Sequence, residues 1–356
     1  MKSGKYFLLI TIVFLGVISC SKNKSTTVSI KDNQFYINGE LTYKGVKWNN
    51  YPIEGLLMNA RMVQGIFDDL NPNTKSGFIY PDTKTWDADR NTNEFVMAMG
   101  DWYDHGLLAF TLNMQGGSPL GYGNEGWINS AFDPKGELRP DYMLRLQKIL
   151  DKADQLGMVV ILGYFYFGQD EHLENEQAVV NAVNNISDWL IKKGYRNILV
   201  EIANECDIYY DHNILKPERI VELIKLVQEK GLLVSTSFSG GKIPTSEIID
   251  QADFVLLHGN GVDNAKEITE MVDAVKNSLA YTNKPILFNE DDHFMFEEDS
   301  NNFKSAIVAY ASWGYFDFRM EGESYEHGFQ SVPVDWTISS KRKKSFFNKI
   351  KDITSN

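Results

Sequence analysis

Two short stretches combine residues that can do chemistry with a context that can position them. "NILVEIANECD", Asn197 to Asp207, runs from Ile198, Leu199, Val200 and Ile202 into Asn204 and Glu205. "KPILFNEDDH", Lys284 to His293, does the same: Ile286, Leu287 and Phe288 lead into Asn289, Glu290, Asp291 and Asp292. An apolar strand that stops on Asn-Glu delivers a carboxylate to the edge of a sheet, and two such strands supply a pair. Paired carboxylates divide acid and base work when their surroundings set their proton affinities apart. The dipeptide alone carries little, because Asn-Glu recurs at Asn93, Asn124 and Asn175 in polar or helical surroundings. The strand context decides.

The elements that must hold these carboxylates follow from hydropathy. Strand-like runs begin at Arg61–Asp69 and continue as "LLAFTLNMQ", "MVVILGYFYFGQ", "NILVEIANE", "LLVSTSFS", "DFVLLHGN", "PILFNE" and "YFDFR". Helical patterns lie between them. One opens at Pro140 and closes at Gly157, a start and a stop signal in the expected places. Near-continuous apolar strands alternating with helices predict a parallel sheet covered on both faces. Eight such pairs predict a single α/β domain, a (β/α)8 TIM barrel, with a short N-terminal β-hairpin turning at Asn38-Gly39. No GxGxxG phosphate loop is present.

In that fold the chemistry sits where the strands end. Read in order, the ends carry Asp68 and Asp69, Asn113 and Gln115, Gln169, Asn204 and Glu205, Ser237 and Ser239, His258 and Asn260, Asn289 and Glu290, and Arg319. They are expected to converge on one pocket. Asp291, Asp292 and His293, with Asp68 and Asp69, form either a site for a divalent cation or a network for sugar hydroxyls. No cofactor is expected otherwise. Glu201 shares the strand parity of Glu205 and is expected to point into the barrel as its support.

The chain has 356 residues, 43% hydrophobic, with a net charge of −13. No basic stripe offers itself to phosphates, which argues against a nucleic-acid partner. Aromatic residues make up 13%, and those in loops suit flat apolar ligand surfaces such as sugar rings. At the N-terminus, Lys2 and Lys5 precede an apolar run from Phe7 to Ile18 that ends "VISC". The run is short for a membrane span and fits a secretory leader. Val17-Ile18-Ser19-Cys20 resembles a bacterial lipobox. Residues 1–19 are therefore expected to be a signal peptide, Cys20 the lipidated residue, 20–27 a tether, and 28–356 one catalytic domain. The chain is expected in the bacterial cell envelope, held by lipid, at the outer membrane. Cys206 is the other cysteine, so no intramolecular disulfide is expected.

"LVEIANECD" resembles the fourth-strand motif of clan-A glycoside hydrolases, the cellulase-like family 5 above all. "KPILFNEDDH" is similar to their seventh-strand segment. The resemblance implies a retaining hydrolase of poly- or oligosaccharides, with Glu205 as acid/base, Glu290 as nucleophile and Asn204 contacting the sugar hydroxyl beside the reacting carbon. Carbohydrate-binding roles are expected for Asp68, Asp69, Asn113, Gln115, Gln169, His258, Asn260 and His293. The family pattern is broken in places. Cys206 replaces the usual Pro, no aromatic follows His258 in "HGNG", and the last strand ends "FDFR" without its usual Trp. Trp336 is expected to substitute. The rival readings are a metal-assisted hydrolase or lyase, an inverting hydrolase, and a glycan-binding lipoprotein without turnover.

Overall fold

A computed structural model describes residues 26–123 and 125–355. The leader, Cys20 and most of the tether lie outside the described residues. The chain enters through an antiparallel sheet of β1 (Val28–Lys31), β2 (Gln34–Ile37) and β3 (Glu40–Leu41). Asn38 and Gly39 turn β2 into β3 with φ of 54° and 79°, the left-handed geometry that Asn-Gly supplies cheaply. A small hairpin of β4 (Lys47–Trp48) and β5 (Tyr51–Pro52) follows. Phe35 of β2 is fully buried and meets Phe254 edge to face at 6.4 Å. It joins Leu57, Ala109, Val159, Leu199 and Leu287 in a cluster that plugs the lower end of the sheet.

Eight parallel strands follow in order: β6 (Asn59–Arg61), β7 (Ala109–Asn113), β8 (Val159–Tyr166), β9 (Ile198–Asn204), β10 (Leu233–Ser235), β11 (Val255–His258), β12 (Ile286–Glu290) and β13 (Gly314–Tyr315). Continuous ladders join β10, β9, β8, β7, β6 and β13 in that order, and another joins β11 to β12. Single bridges tie Leu287 to Ser312 and Asp291 to Tyr315, linking β12 to β13. Among the described residues no ladder joins β10 to β11; a backbone bond from Asp253 N–H to the Val234 carbonyl, 2.9 Å, spans that seam. The architecture is a TIM-barrel-like α/β fold.

The helices are α1 (Ala88–Asp104), α2 (Pro140–Leu156), α3 (Glu176–Lys193), α4 (Val221–Glu229), α5 (Ser246–Gln251), α6 (Ala265–Asn277), α7 (Asn302–Val308) and α8 (Lys341–Thr354). All but α2 and α4 have an entrance fixed by a side-chain cap, among them Asp87, Asn175 and Ser340. In α1, Phe95, Met99 and Trp102 recur at helical spacing and are fully buried. Each contributes on the order of 1.5–3 kcal/mol by leaving water.

Two strand boundaries differ from the sequence pattern. The first strand stops at Arg61, not Asp69. Met62, Ile66 and Phe67 are buried in the same core as α1 and α2 residues instead of extending the strand. A Cβ on Gly65 would meet Ile149, Leu112 and Phe95 at 2.9 Å, so the chain must pass flush against those side chains. The last strand is Gly314–Tyr315, and Arg319 falls in the loop beyond it. Gly314 is required there, because a Cβ would come within 2.3 Å of Asn59 Oδ1.

Candidate active site

Glu290 is the last residue of β12 and Glu205 the first after β9; they are 4% and 8% exposed. Glu205 has φ 52°, a left-handed conformation that costs a non-glycine residue about 1–3 kcal/mol. Ser237 holds it there: Glu205 N–H donates to Ser237 Oγ at 2.9 Å, and Cys206 N–H donates to the Ser237 carbonyl at 2.9 Å.

One oxygen of Glu290 faces a guanidinium as an ion pair and the other is hydrogen-bonded. Arg61 Nη1 lies 2.9 Å from Oε2, and Asn260 Nδ2 donates to Oε1 at 2.9 Å. Arg61 is fully buried at the end of β6, and its Nε donates to Gln330 Oε1 at 2.9 Å. Burial works against the guanidinium charge, but Glu290, Tyr166, Glu201 and Glu205 together more than offset it and the affinity for the proton rises. Burial pushes the Glu290 carboxyl up, while Arg61 and His258 pull it down.

His258 ends β11 between three carboxylates. Its Nδ1 lies 2.9 Å from Glu205 Oε1 and 3.5 Å from Glu290 Oε2. Its Nε2 lies 3.8 Å from Glu201 Oε1, an ion-pair distance rather than a hydrogen bond. Burial alone would lower the imidazole; Glu290, Glu201 and Glu205 outweigh it and lift it from 6.5 to about 10. Glu201 is fully buried, accepting from Ser237 Oγ at 2.6 Å and from Asn289 Nδ2 at 3.1 Å. Ser237 thus ties Glu201 to the backbone of Glu205. The charges of this cluster can be counted. Glu201, Glu205 and Glu290 bring −3, Arg61 and His258 bring +2, and the sum is −1. One added proton makes the buried group neutral, the state that burial favours.

An oxygen of Glu205, an oxygen of Glu290 and a ring nitrogen of His258 all lie within 4.8 Å of one another. A sugar's reacting carbon and its leaving oxygen can be flanked by two carboxylates this close. Beside the pair, both amide atoms of Asn204 are buried without a hydrogen-bond partner; the buried amide of Asn113, on β7 against Gly163, is unpartnered too. Unpaired buried amides cost about 1–3 kcal/mol each, so such atoms fit a bound hydroxyl or water.

Among the described residues two groups bring metal-binding atoms together: Glu205, His258 and Glu290, and Asp291, Asp292 and His293. Neither suits a cation. In the first, the Arg61 guanidinium already stands against Glu290. In the second, Asp291 is saturated by Asn302 Nδ2, Trp313 Nε1 and His293 Nδ1, the last at 2.7 Å. That bond to Asp291 chiefly raises the His293 proton affinity against partial burial.

The other strand-end residues divide. His258, Asn260 and Asn204 gather at the glutamates. Gln115 and Gln169 do not line the site with them: Gln115 Nε2 donates to Ser130 Oγ and to the Gln169 carbonyl, and Gln169 binds Asn129 N–H and the Trp127 carbonyl. They staple loops. Asp69 orders its own loop by accepting from Asn71 N–H, Ile128 N–H and Thr74 Oγ1. Asp68 holds Trp86 Nε1 at 3.0 Å and Lys75 at 2.8 Å. Both aspartates lie seven or more residues past the true end of β6, which is why they miss the glutamates. His293 is engaged with Asp291 rather than turned to the pair. Trp336 is 1% exposed and packs against Phe95, Trp102 and Phe329, with its Nε1 on Asn91 Oδ1; it is core. Arg319 donates to the carbonyls of Ser331 and Pro333. Cys206 is buried, and burial pushes its thiol well up, away from nucleophile chemistry.

Two participants escaped the sequence reading. Arg61 is a charged residue inside an apolar run, a signal that was present. Tyr122 comes from a glycine-rich loop without periodicity. Its hydroxyl donates to Asp292 Oδ2 at 2.7 Å and stands 3.5 Å from Asn260 Nδ2, while its ring meets Phe318 edge to face at 4.9 Å.

No family profile matches the chain, and no curated protein matches it. Solved structures do. A glycoside hydrolase family 5 protein from Bacteroides vulgatus aligns with a TM-score of 0.55 at 16% identity, over 93% of this chain and 70% of that one. A putative glycoside hydrolase from the same organism aligns at 0.53 and 13%, over 91% of this chain; this chain spans 60% of its length. A GH5-4 broad-specificity endoglucanase from Clostridium longisporum aligns at 0.51 and 10%, covering 84% and 97%. These likenesses show the fold, an α/β barrel of the kind found in those glycoside hydrolase structures.

Proposed function

We propose that the protein is a retaining glycoside hydrolase acting on O-glycosidic bonds of a poly- or oligosaccharide. One observation carries the reading: Glu205, just past the end of β9, and Glu290, at the end of β12, each bring a carboxyl oxygen within 4.8 Å of the other's around His258, close enough to flank one sugar. Retaining enzymes hold the two carboxyl groups about 5–5.5 Å apart, whereas inverting ones leave about 6.5–9.5 Å for a water. The likeness to glycoside hydrolase folds supports the class of reaction by analogy.

In this reading Glu290 is the nucleophile. Arg61 and Asn260 hold both of its oxygens, which fixes its attack direction and stabilises its charge. One oxygen bonds to the anomeric carbon as the bond from that carbon to the leaving oxygen breaks. Glu205 gives its proton to that oxygen, so an alcohol departs. A water then enters, Glu205 takes back a proton, and the glycosyl–Glu290 ester opens with net retention. Asn204 offers its unpaired amide to a sugar hydroxyl. The reading includes a lipid on Cys20 that holds the chain to a bacterial envelope membrane, supported by the "VISC" that ends the apolar run.

The test is a panel of polysaccharides, oligosaccharides and aryl β-glycosides presented to the domain that starts after Cys20. Wild type is expected to release reducing sugar from at least one, and Glu290→Gln from none. Equal turnover by wild type and Glu290→Gln would remove the nucleophile assignment.

A further inference from the structure

The described chain begins at the foot of the barrel, the end where the strands start, and it begins pinned. Thr26 N–H donates to Asp154 Oδ1 at 3.0 Å and Thr26 Oγ1 to the Asp154 carbonyl at 2.7 Å, at the C-terminal end of α2. Thr27 bridges Arg196, just before β9, and Val28 N–H donates to the Arg196 carbonyl at 2.9 Å. Cys20 stands six residues before Thr26. A chain spans at most about 3.3–3.6 Å per residue, so a lipid on Cys20 keeps Thr26 within roughly 22 Å of its attachment. That leash brings the foot to the bilayer. It leaves the tilt of the barrel open, and two other features set the tilt.

The first is charge. Residues 192–197, between α3 and β9, include Lys192, Lys193 and Arg196, all exposed, and no acid. Residues 276–285, from the end of α6 to β12, include Lys276 and Lys284 and no acid. The hairpins that cap the foot are balanced, with Lys31, Lys44 and Lys47 against Asp32, Glu40 and Glu54. Other foot connections add little: Asp104 before β7, and Glu229 beside Lys230 before β10. The mouth is the reverse. Residues 168–175, after β8, carry Asp170, Glu171 and Glu174 and no Lys or Arg. Residues 291–300, after β12, carry Asp291, Asp292, Glu297, Glu298 and Asp299 and again no Lys or Arg. An anionic surface attracts the foot and repels the mouth. Lys22 and Lys24, beside Cys20, add to the attraction.

The second feature is Leu279, which is fully exposed in the connection before β12. Its loop is built: Tyr281 donates to the Lys284 carbonyl at 2.7 Å, and Lys284 Nζ donates to the carbonyls of Asp250 and Ala252. β12 is the seventh barrel strand, whereas Thr26 is tied beside the third and fourth, so the two points flank the barrel axis on opposite sides of the foot. A bilayer that meets both lies across the axis. The eight residues of β8, about 26 Å at roughly 3.3 Å each, then separate it from the mouth.

We propose that the foot of the barrel docks on an anionic bilayer, with Lys192, Lys193 and Arg196 among the headgroup phosphates and Leu279 in the interface, so that the mouth holding Glu205 and Glu290 points away from the membrane. The docking rests on the Cys20 lipid of the reading above and adds to it a second attachment and an orientation.

The test is lysine footprinting of the processed full chain in phosphatidylcholine vesicles, with or without about 30 mol% phosphatidylglycerol, using a membrane-impermeant acetylating reagent read by peptide mass spectrometry. On the anionic vesicles Lys31, Lys44, Lys192 and Lys193 are expected to lose about fivefold or more in acetylation rate, while Lys135 and Lys242, exposed in mouth loops, keep theirs. Salt at about 0.5 M should remove the protection. A chain with Lys192→Glu, Lys193→Glu and Leu279→Glu should stay in the vesicle pellet through its lipid and lose the protection at Lys31 and Lys44. Equal protection on both vesicle types, protection at the mouth, or none anywhere would overturn the docking. So would foot protection in detergent without vesicles, which would make this face an interface between copies. Intact mass reads the lipid separately. Should Cys20 carry none, the chain that starts at Cys20 is coupled through that thiol to a maleimide lipid in the same vesicles, Cys206 being buried, and the same lysines decide the docking.

Discussion

Glu201 touches no part of the glutamate pair directly, yet its replacement by Gln should cripple leaving-group protonation. The substitution is nearly isosteric. Ser237 Oγ can still donate to the amide oxygen, and Asn289 can turn its unpartnered Oδ1 toward the new N–H2. What changes is charge. With Glu201 neutral, Glu205 and Glu290 bring −2 and Arg61 and His258 bring +2, so the buried cluster reaches zero with no proton on a carboxyl. The imidazole of His258 then loses one of the three carboxylates that hold its proton. The interaction of unit charges 3.8 Å apart is about 4 kcal/mol at an effective dielectric of about 20, or up to roughly three pH units of proton affinity. His258 shares its contacts among three carboxylates, so only part of that is lost. Tyr166, Tyr210, Cys206 and Arg61 also face the cluster, and none of them supplies a carboxylate to replace Glu201.

The assay is kcat/KM against pH on two substrates. For an oligosaccharide, the alkaline limb should move toward acid by at least about one pH unit, a change of roughly 1.4 kcal/mol. For a dinitrophenyl glycoside, whose leaving group departs without help, the rate near neutrality should barely change. An alkaline limb that stays where wild type has it, on a correctly folded variant, would refute the charge argument.

Two further outcomes follow from the same account. Glu205→Ala should lose most activity on oligosaccharides and regain part of it on activated aryl glycosides when azide is added, because azide attacks a glycosyl-enzyme without a general base; no rescue at any azide concentration would count against Glu205 as the acid/base. Cys20→Ala should leave the chain unprocessed or in the soluble fraction, since each buried CH2 of a lipid chain contributes about 0.8 kcal/mol of membrane affinity; unchanged fractionation and mass would dismiss the anchor.

The strands that carry the pair were legible for a simple reason. β9 and β12 are buried along their whole length, so their sequences are apolar, Glu201 apart, until the side chains that end them. Helix α2, with Pro140 and Gly157 at its ends, was equally plain. The run from Arg61 to Asp69 was not, because residues buried against helices and residues buried in a strand share the same hydropathy. Periodicity there could not tell that β6 stops after its first charged residue, and the error carried Asp68 and Asp69 to the wrong place. Trp336 illustrates the converse. A tryptophan in a loop after the last strand reads as a ligand platform, yet this one buries its ring in the core between α1 and Phe329. Tyr122 had no local signal, since its position depends on long-range contacts with Asp292 and Phe318.

The central claim is that Glu290 forms a covalent bond to sugar. A 2-deoxy-2-fluoro glycoside with a dinitrophenyl leaving group, built on the sugar that the panel identifies, slows the second step more than it slows release of the leaving group. Intact mass should then rise by one fluoroglycosyl unit, and digestion should place that mass on the peptide containing "PILFNEDDH" at Glu290. A stable adduct on any other residue, or hydrolysis with inversion at the anomeric carbon and no adduct, would contradict the account.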